Sequence, residues 1–224
     1  MVVWNRRHGL VSIFYRIGSF MDKRTLIYFP IIHTRQDMGD LGESIRQATV
    51  RLLGKQSLIH KDQMVDRIWT AIEQAIDALD LQFEKVRLYQ DGLPVCGREM
   101  EIIADLAAAG SRNHCLVMQL IRKGAVLLGT ESAELLLEEY RLIKQTVSGR
   151  HGATGGAETL RGRHAGADIL LEKRDQFIAQ RINDTLGPDE TGIIFIGMLH
   201  DLEGRLDQDI KVIHPISRFF DTGV

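Results

Sequence analysis

The stretch GIIFIGMLHD, residues 192–201, decides the fold of this 224-residue chain. Its first eight residues are six apolar side chains and two glycines, and His200 and Asp201 follow them. A short apolar run without polar alternation predicts a strand that is covered on both faces, as in a parallel sheet. The stretch therefore predicts a buried β-strand at 192–199 that ends on a histidine.

Four further stretches have the length of strands. TLIYFPIIHT, residues 25–34, repeats the same arrangement, because its apolar run at 25–32 is followed directly by His33. Shorter runs lie at 85–90, 125–129 and 209–216. The sequence thus predicts five strands, of which the first and fourth are buried on both faces.

Helical patterns separate these predicted strands. In 62–80 the apolar residues recur at the spacing of one helix face. Further helices are predicted at 98–109, 112–123, 133–147 and 167–186, with serine before and glycine after several of them. Strands that alternate with helices predict an α/β fold with a mostly parallel sheet and helices on both faces.

One segment interrupts the alternation. The residues SGRHGATGGAETLRGRHAG at 148–166 are rich in glycine and have little apolar periodicity. The segment is long for an ordinary connection, so we expect a mobile loop, either a plain flexible loop or a lid. GATGG has no Gly-Lys-Ser or Gly-Lys-Thr after it, which argues against a Walker-type phosphate loop.

The composition restricts the class of protein. Apolar residues make up 44% of the chain and charged residues 26%, and the formal net charge is −2. These values are typical of a globular protein and give no sign of a nucleic-acid partner. No apolar run approaches the roughly 20 residues of a membrane span. Cys96 and Cys115 have neither metal-site nor disulfide spacing, which favours free thiols and a cytoplasmic location.

Residues 1–20 differ from the rest of the chain. They are basic, with Arg6, Arg7 and Arg16 and no acidic residue. Because Arg16 interrupts the apolar run and no small-residue cleavage site follows, the pattern does not predict a signal peptide. We expect an N-terminal extension outside a single α/β domain at 21–224. The alternative is a basic amphipathic helix that docks on the core or on a partner.

An ionisable residue follows each of the first four predicted strands: His33, Asp91, Glu131 and His200. The carboxyl ends of parallel strands meet at one edge of the sheet, where α/β proteins bind their ligands. We therefore expect two imidazoles and two carboxylates to converge there, with Asp201 or a carbonyl orienting His200. The alternative is that these residues only begin polar loops.

Arg174 lies on the inward face of the predicted helix 167–186, beside Ile178. A guanidinium among apolar side chains needs a carboxylate or an anionic ligand. Asp91 and Glu131 are the candidate partners. The alternative is that the Arg174 side chain extends past the core to solvent.

Several of these motifs resemble the TraB/PrgY superfamily, which includes erythromycin esterases, ChaN-type haem-binding proteins and TIKI-type metalloproteases. The chain is similar in its late strand with GMLH at 197–200, in the Arg-Asp pair at 174–175 and in PIIH at 30–33, where proline replaces the family's glycine. The resemblance spans roughly residues 25–216. It implies the fold and a site at the strand ends more than any one reaction.

Two functions follow from this site. The first is a hydrolase with His33, Glu131 and His200 as catalytic residues and with Arg174 and Asp91 binding a small-molecule or peptide substrate. In one version the same histidines and Glu131 hold a divalent metal (Mn²⁺, Co²⁺ or Zn²⁺) that activates water. In a metal-free version His33 is the general base.

The second function is a non-catalytic binding module. The cleft would then hold an anionic small molecule or haem between His33, His200 and Arg174. A third hypothesis is a protein that docks on a partner through residues 1–20. The sequence leaves a homo-oligomer open.

Overall fold

The computed structural model describes residues 24–34, 37, 63–148 and 157–216, with the side chains of 145–148 and 157–164 left aside. These residues contain five strands: β1 Arg24–Ile31, β2 Val86–Gln90, β3 Val126–Leu128, β4 Thr191–Gly197 and β5 Ile210–Ile213. They also contain five α-helices: α1 at 63–77, α2 Glu99–Ala108, α3 Arg112–Arg122, α4 Ala133–Ser148 and α5 Ala157–Thr185.

All five strands pair in parallel, in the order β3-β2-β4-β1-β5. The central strand β4 lies between β2 and β1, with Gly197 opposite Ile31 and Phe195 opposite Gln90. The carboxyl ends of these three strands therefore leave the sheet side by side. The predicted α/β fold with a parallel sheet is confirmed.

Helices cover both faces of the sheet, as predicted, because the central strand is apolar on both faces. Ile193 and Phe195 join one buried cluster with side chains of α1, α2 and α3. Ile194 and Ile196 point the opposite way and join a second cluster with side chains of α5. Burying each such side chain stabilises the fold by about 1.5–3 kcal/mol. The unbroken run of β4 thus serves both layers.

Strand β4 ends earlier than the sequence predicts. The strand stops at Gly197, and Met198 and Leu199 form a turn that the N–H of His200 closes by donating to the Gly197 carbonyl at 3.1 Å. Leu199 is 82% exposed, so the apolar run continues past the core. The predicted strand 192–199 is therefore two residues too long. His200 sits on the loop that follows the turn.

The glycine-rich segment is more helical than predicted. Helix α4 continues to Ser148, and α5 begins at Ala157, ten residues before the predicted helix start at 167. The expected loop at 148–166 is therefore wrong for Ser148 and for 157–166. A glycine inside a helix costs about 1 kcal/mol, which the alanine, leucine, glutamate and arginine residues around it offset.

Some predictions concern residues that the structure does not describe. The N-terminal extension at 1–20 and the part of the predicted loop at 149–156 lie outside the described residues. Among the described residues, no helix is long and apolar enough to cross a membrane.

Candidate functional site

Three of the predicted site residues meet at the carboxyl edge of the sheet, around Asp91. His33 Nε2 lies 2.9 Å from Asp91 Oδ2, and His200 Nε2 lies 3.7 Å from the same oxygen. Asp91 directly follows β2, whereas each histidine follows a central strand by a short loop. The predicted convergence of these residues is confirmed.

Gly197 allows this close approach. Its N–H donates to Asp91 Oδ2 at 2.7 Å. A Cβ atom at position 197 would lie 2.9 Å from that oxygen, 3.3 Å from His33 Nε2 and 3.6 Å from His200 Cδ2. Any side chain here would occupy the space in which the two histidines and the carboxylate meet.

Arg174 on α5 binds the carboxylates of both Asp91 and Glu131. Its Nε donates to Glu131 Oε2 at 2.6 Å, and its Nη2 donates to Glu131 Oε1 at 2.8 Å and to Asp91 Oδ1 at 2.9 Å. Its Nη1 donates to Glu139 Oε1 on α4 at 2.6 Å. The predicted inward partner of Arg174 is confirmed, and both candidate carboxylates bind it at once. The third partner, Glu139, is one that the sequence did not indicate.

The pKa values of the two buried carboxylates, Glu131 and Asp91, are shifted in opposite directions. Burial raises the pKa of Glu131, and the charge of Asp91 adds to this rise, which Arg174 only partly offsets. Burial also tends to raise the pKa of Asp91, but the hydrogen bond from His33 and the positive charges of His33, His200 and Arg174 hold it well below its usual range. Asp91 is therefore ionised at neutral pH.

Only one ring nitrogen of His33 is bonded to Asp91. Because the Asp91 carboxylate only accepts hydrogen bonds, His33 Nε2 carries the hydrogen. Nδ1 receives no hydrogen bond from any described residue, and the side chain is 34% exposed. Burial lowers the pKa of His33, but its hydrogen bond to Asp91 and the charges of Asp91 and Asp37 raise it more, so the net shift is upward.

His200 is oriented by Asp175, which the sequence marked as part of the Arg174-Asp175 pair but to which no role was assigned. Its Nδ1 lies 2.5 Å from Asp175 Oδ1, and Asp175 Oδ2 accepts the N–H of Asp201 at 3.1 Å. The predicted orienting residue, Asp201, instead has an 80% exposed side chain. The signal for Asp175 was its position beside Arg174 on one buried helix face. The His200 carbonyl accepts from the Tyr28 hydroxyl at 3.2 Å, which fixes the loop.

A second cluster ties the loop of His33 to α3. Asp37 Oδ2 accepts the N–H of Thr34 at 2.6 Å and its hydroxyl at 2.8 Å. Asp37 Oδ1 accepts the Ser111 hydroxyl at 2.5 Å, and that hydroxyl oxygen lies 2.6 Å from His114 Nδ1. The serine gives its hydrogen to the aspartate and is only 1% exposed, so the cluster is a structural clasp rather than a catalytic triad.

His33, Asp91, Arg174 and His200 lie on the floor of a cavity of about 570 Å³. Its walls are apolar side chains from α4, from α5 and from the turn after β4, namely Leu136, Tyr140, Ile143, Leu171, Met198 and Leu199. A cavity of this size with a few polar groups at one end is typical of a small-molecule site.

The donor set does not fit the predicted metal centre of His33, His200 and Glu131. Both oxygens of Glu131 accept from Arg174, and Oε1 also accepts the N–H of Gly92 at 2.6 Å. Across the residues that the structure describes, no group of three or more His, Cys, Asp or Glu side chains could hold a metal ion. The Glu131 carboxylate is committed to an internal cation instead.

Comparison with known proteins gives no relative from which to transfer a function. No protein-family model, no curated protein and no solved structure matches the chain. The resemblance to the TraB/PrgY superfamily thus stays a prediction, and the site is interpreted from its own geometry.

Replacing Arg174 should destabilise the protein strongly. In Arg174→Ala three carboxylates lose their shared cation, two of them buried, so we expect the free energy of unfolding to fall by about 3–5 kcal/mol. Urea unfolding followed by circular dichroism measures this. Arg98→Ala, which removes a well-exposed pair with Glu101, is the control and should cost at most about 1 kcal/mol. Equal losses in the two variants would contradict the role of Arg174.

Adding one methyl group at Gly197 should distort the site. Asp91 cannot move away easily, because Gly197, His33 and Arg174 all donate to it. We expect Gly197→Ala to lower the free energy of unfolding by about 1–3 kcal/mol. Gly204→Ala is the matched control, since a Cβ there meets nothing within 4 Å. A thermal unfolding curve of Gly197→Ala that overlays the wild-type curve would show that the approach is not tight.

Proposed function

We propose that this protein is a metal-independent hydrolase of small acyl compounds, with esters as the simplest substrate. The observation that carries the proposal is the pairing of His33 with Asp91, 2.9 Å apart on the floor of a cavity. An imidazole held through one nitrogen by an ionised, buried carboxylate is the arrangement in which the other nitrogen serves as a general base.

In the proposed reaction, His33 Nδ1 removes a proton from water as the water oxygen attacks the acyl carbon. The positive charge that develops on the ring is stabilised by Asp91, and also by Asp37. Their effect is strong because both side chains are almost excluded from water, with 3% and 2% of their surface exposed. Neither carboxylate has to change its own protonation during this step.

His200 acts as the general acid. Asp175 holds Nδ1, and Nε2 lies at the opposite end of the ring, beside Asp91 on the cavity floor. His200 starts this step doubly protonated, with Nδ1–H bonded to Asp175 and a second hydrogen on Nε2. When the tetrahedral intermediate collapses, the bond from carbon to the leaving oxygen breaks, and that oxygen takes the Nε2 proton, which leaves a neutral His200. The products are a carboxylic acid and an alcohol. Proton exchange with solvent returns His33 and His200 to their starting states.

The roles of the remaining predicted residues change in this proposal. Glu131 was expected to be catalytic, and Arg174 and Asp91 to bind substrate. Glu131 is 0% exposed, and four hydrogen bonds commit Arg174 to carboxylates of the protein. We assign these three as positioning residues that hold the two histidines.

The alternative of an anion- or haem-binding module receives less support. That hypothesis places the ligand between His33, His200 and Arg174, but Arg174 donates from all three of its nitrogens to carboxylates of the protein.

The test is a screen of p-nitrophenyl esters, a p-nitroanilide and p-nitrophenyl phosphate, with and without EDTA. We expect ester hydrolysis that EDTA does not reduce. In His33→Ala, kcat/KM should fall by about 10²–10⁴-fold with an unchanged circular dichroism spectrum. An inactive wild-type protein, full inhibition by EDTA or an active His33→Ala variant would each overturn the proposal.

The activity should depend on pH through His33. Because the pKa of His33 is raised, the neutral base forms only above the ordinary histidine value of about 6.5, and kcat/KM should rise with pH through that higher range. In Asp91→Asn the main raising influence is lost while burial still lowers the pKa, so the residual activity should begin to rise at lower pH. A profile of kcat/KM from pH 5 to 9 measures both. An unmoved limb in the variant would contradict His33 as the base.

A further inference from the structure

The cavity walls and floor differ in chemistry. One face of α4 supplies Leu136, Glu139, Tyr140 and Ile143, which recur at helical spacing along the cavity. The turn after β4 supplies the opposite apolar wall, where Leu199 is 82% exposed. An apolar surface left open beside a reactive floor indicates a ligand with an apolar body.

The charged side chains that line the cavity are mainly acidic. Three are carboxylates, from Asp37, Asp91 and Glu139, against one guanidinium, from Arg174. Apart from the histidines, the lining carries three negative charges and one positive charge, a net of −2. Asp91 and Asp37 lie close to their own hydrogen-bond donors, so the charge that a ligand can reach most readily belongs to Glu139.

Glu139 has one carboxylate oxygen that can still accept a hydrogen bond from a ligand. Only its Oε1 accepts from Arg174, and Oε2 accepts from no other described residue, while 38% of the side chain is exposed. The neighbouring Tyr140 ring lines the same cavity, and Lys144 Nζ lies over one face of it, 5.8 Å from the ring centroid. A half-used carboxylate next to an aromatic ring in an apolar wall is suited to a substituted ammonium group.

We propose that the substrate is a cationic amphipathic ester, whose ammonium group pairs with Glu139 and whose apolar body lies between α4 and the turn after β4. This inference rests on the proposed hydrolase function, which it makes more specific by naming the charge of the substrate. An anionic substrate would approach a lining of net negative charge whose one guanidinium is already paired.

The experiment compares a matched pair of esters, phenylbutyrylcholine and its uncharged 3,3-dimethylbutyl isostere, which differ in one nitrogen for one carbon. We expect kcat/KM to be about tenfold higher for the choline ester. In Glu139→Gln the ratio should fall towards the ratio of the two esters in alkaline hydrolysis without enzyme, because the amide oxygen can still accept from Arg174 but the charge is gone. Glu138→Gln removes an exposed charge from the same helix and should keep the wild-type ratio.

Binding separates this inference from the function on which it rests. Titration calorimetry of the same proteins with benzyltrimethylammonium and with benzenesulfonate needs no turnover. We expect the ammonium ion to bind at least about tenfold more tightly, and Glu139→Gln to remove most of that preference. If no ester is hydrolysed but this preference holds, the hydrolase proposal fails and the cationic site stands. Equal turnover of the two esters, or equal or tighter binding of the sulfonate, overturns the cationic substrate.

Discussion

The shared guanidinium of Arg174 is the interaction on which the site depends. It joins the segments after β2 and β3 to α4 and α5 through Asp91, Glu131 and Glu139. Two of these carboxylates are almost fully buried, and a buried charge without a partner costs several kcal/mol. The cation therefore permits an ionised Asp91 at the sheet edge, and the ionised Asp91 in turn fixes His33. The remainder of the site is arranged around that chain of contacts.

Each histidine is held by its own buried aspartate. His33 reaches Asp91 through Nε2, whereas His200 reaches Asp175 through Nδ1, so the rings offer opposite nitrogens to the cavity. The parallel register brings them close, because Ile31 and Gly197 end neighbouring strands side by side. Gly197 then leaves room for both rings and the carboxylate. Because each histidine has its own aspartate, one ring can act as a general base and the other as a general acid in the same small site.

The sequence predicted the parallel sheet and most of the site at its carboxyl edge, because both depend on patterns within short stretches of the chain. Apolar runs such as GIIFIG mark buried strands, and parallel strands bring their carboxyl ends together. The contacts that were not predicted depend on packing between distant segments: Asp175 and Glu139 meet the site only because α4 and α5 cover that edge. The early start of α5 was not predicted, because the glycine content of 148–166 indicated a loop where the backbone from Ala157 onward is helical. Tertiary contacts decide these features, and no local pattern reports them.

The tautomers of the two histidines test this arrangement most directly. Long-range ¹H–¹⁵N correlation spectra, recorded above the pH at which both rings are neutral, show which nitrogen of each ring carries hydrogen. Hydrogen bonding to Asp91 predicts the Nε2–H form for His33, and hydrogen bonding to Asp175 predicts the Nδ1–H form for His200. An Nδ1–H form of His33, or the same tautomer in both rings, would contradict His33 as a base held by Asp91.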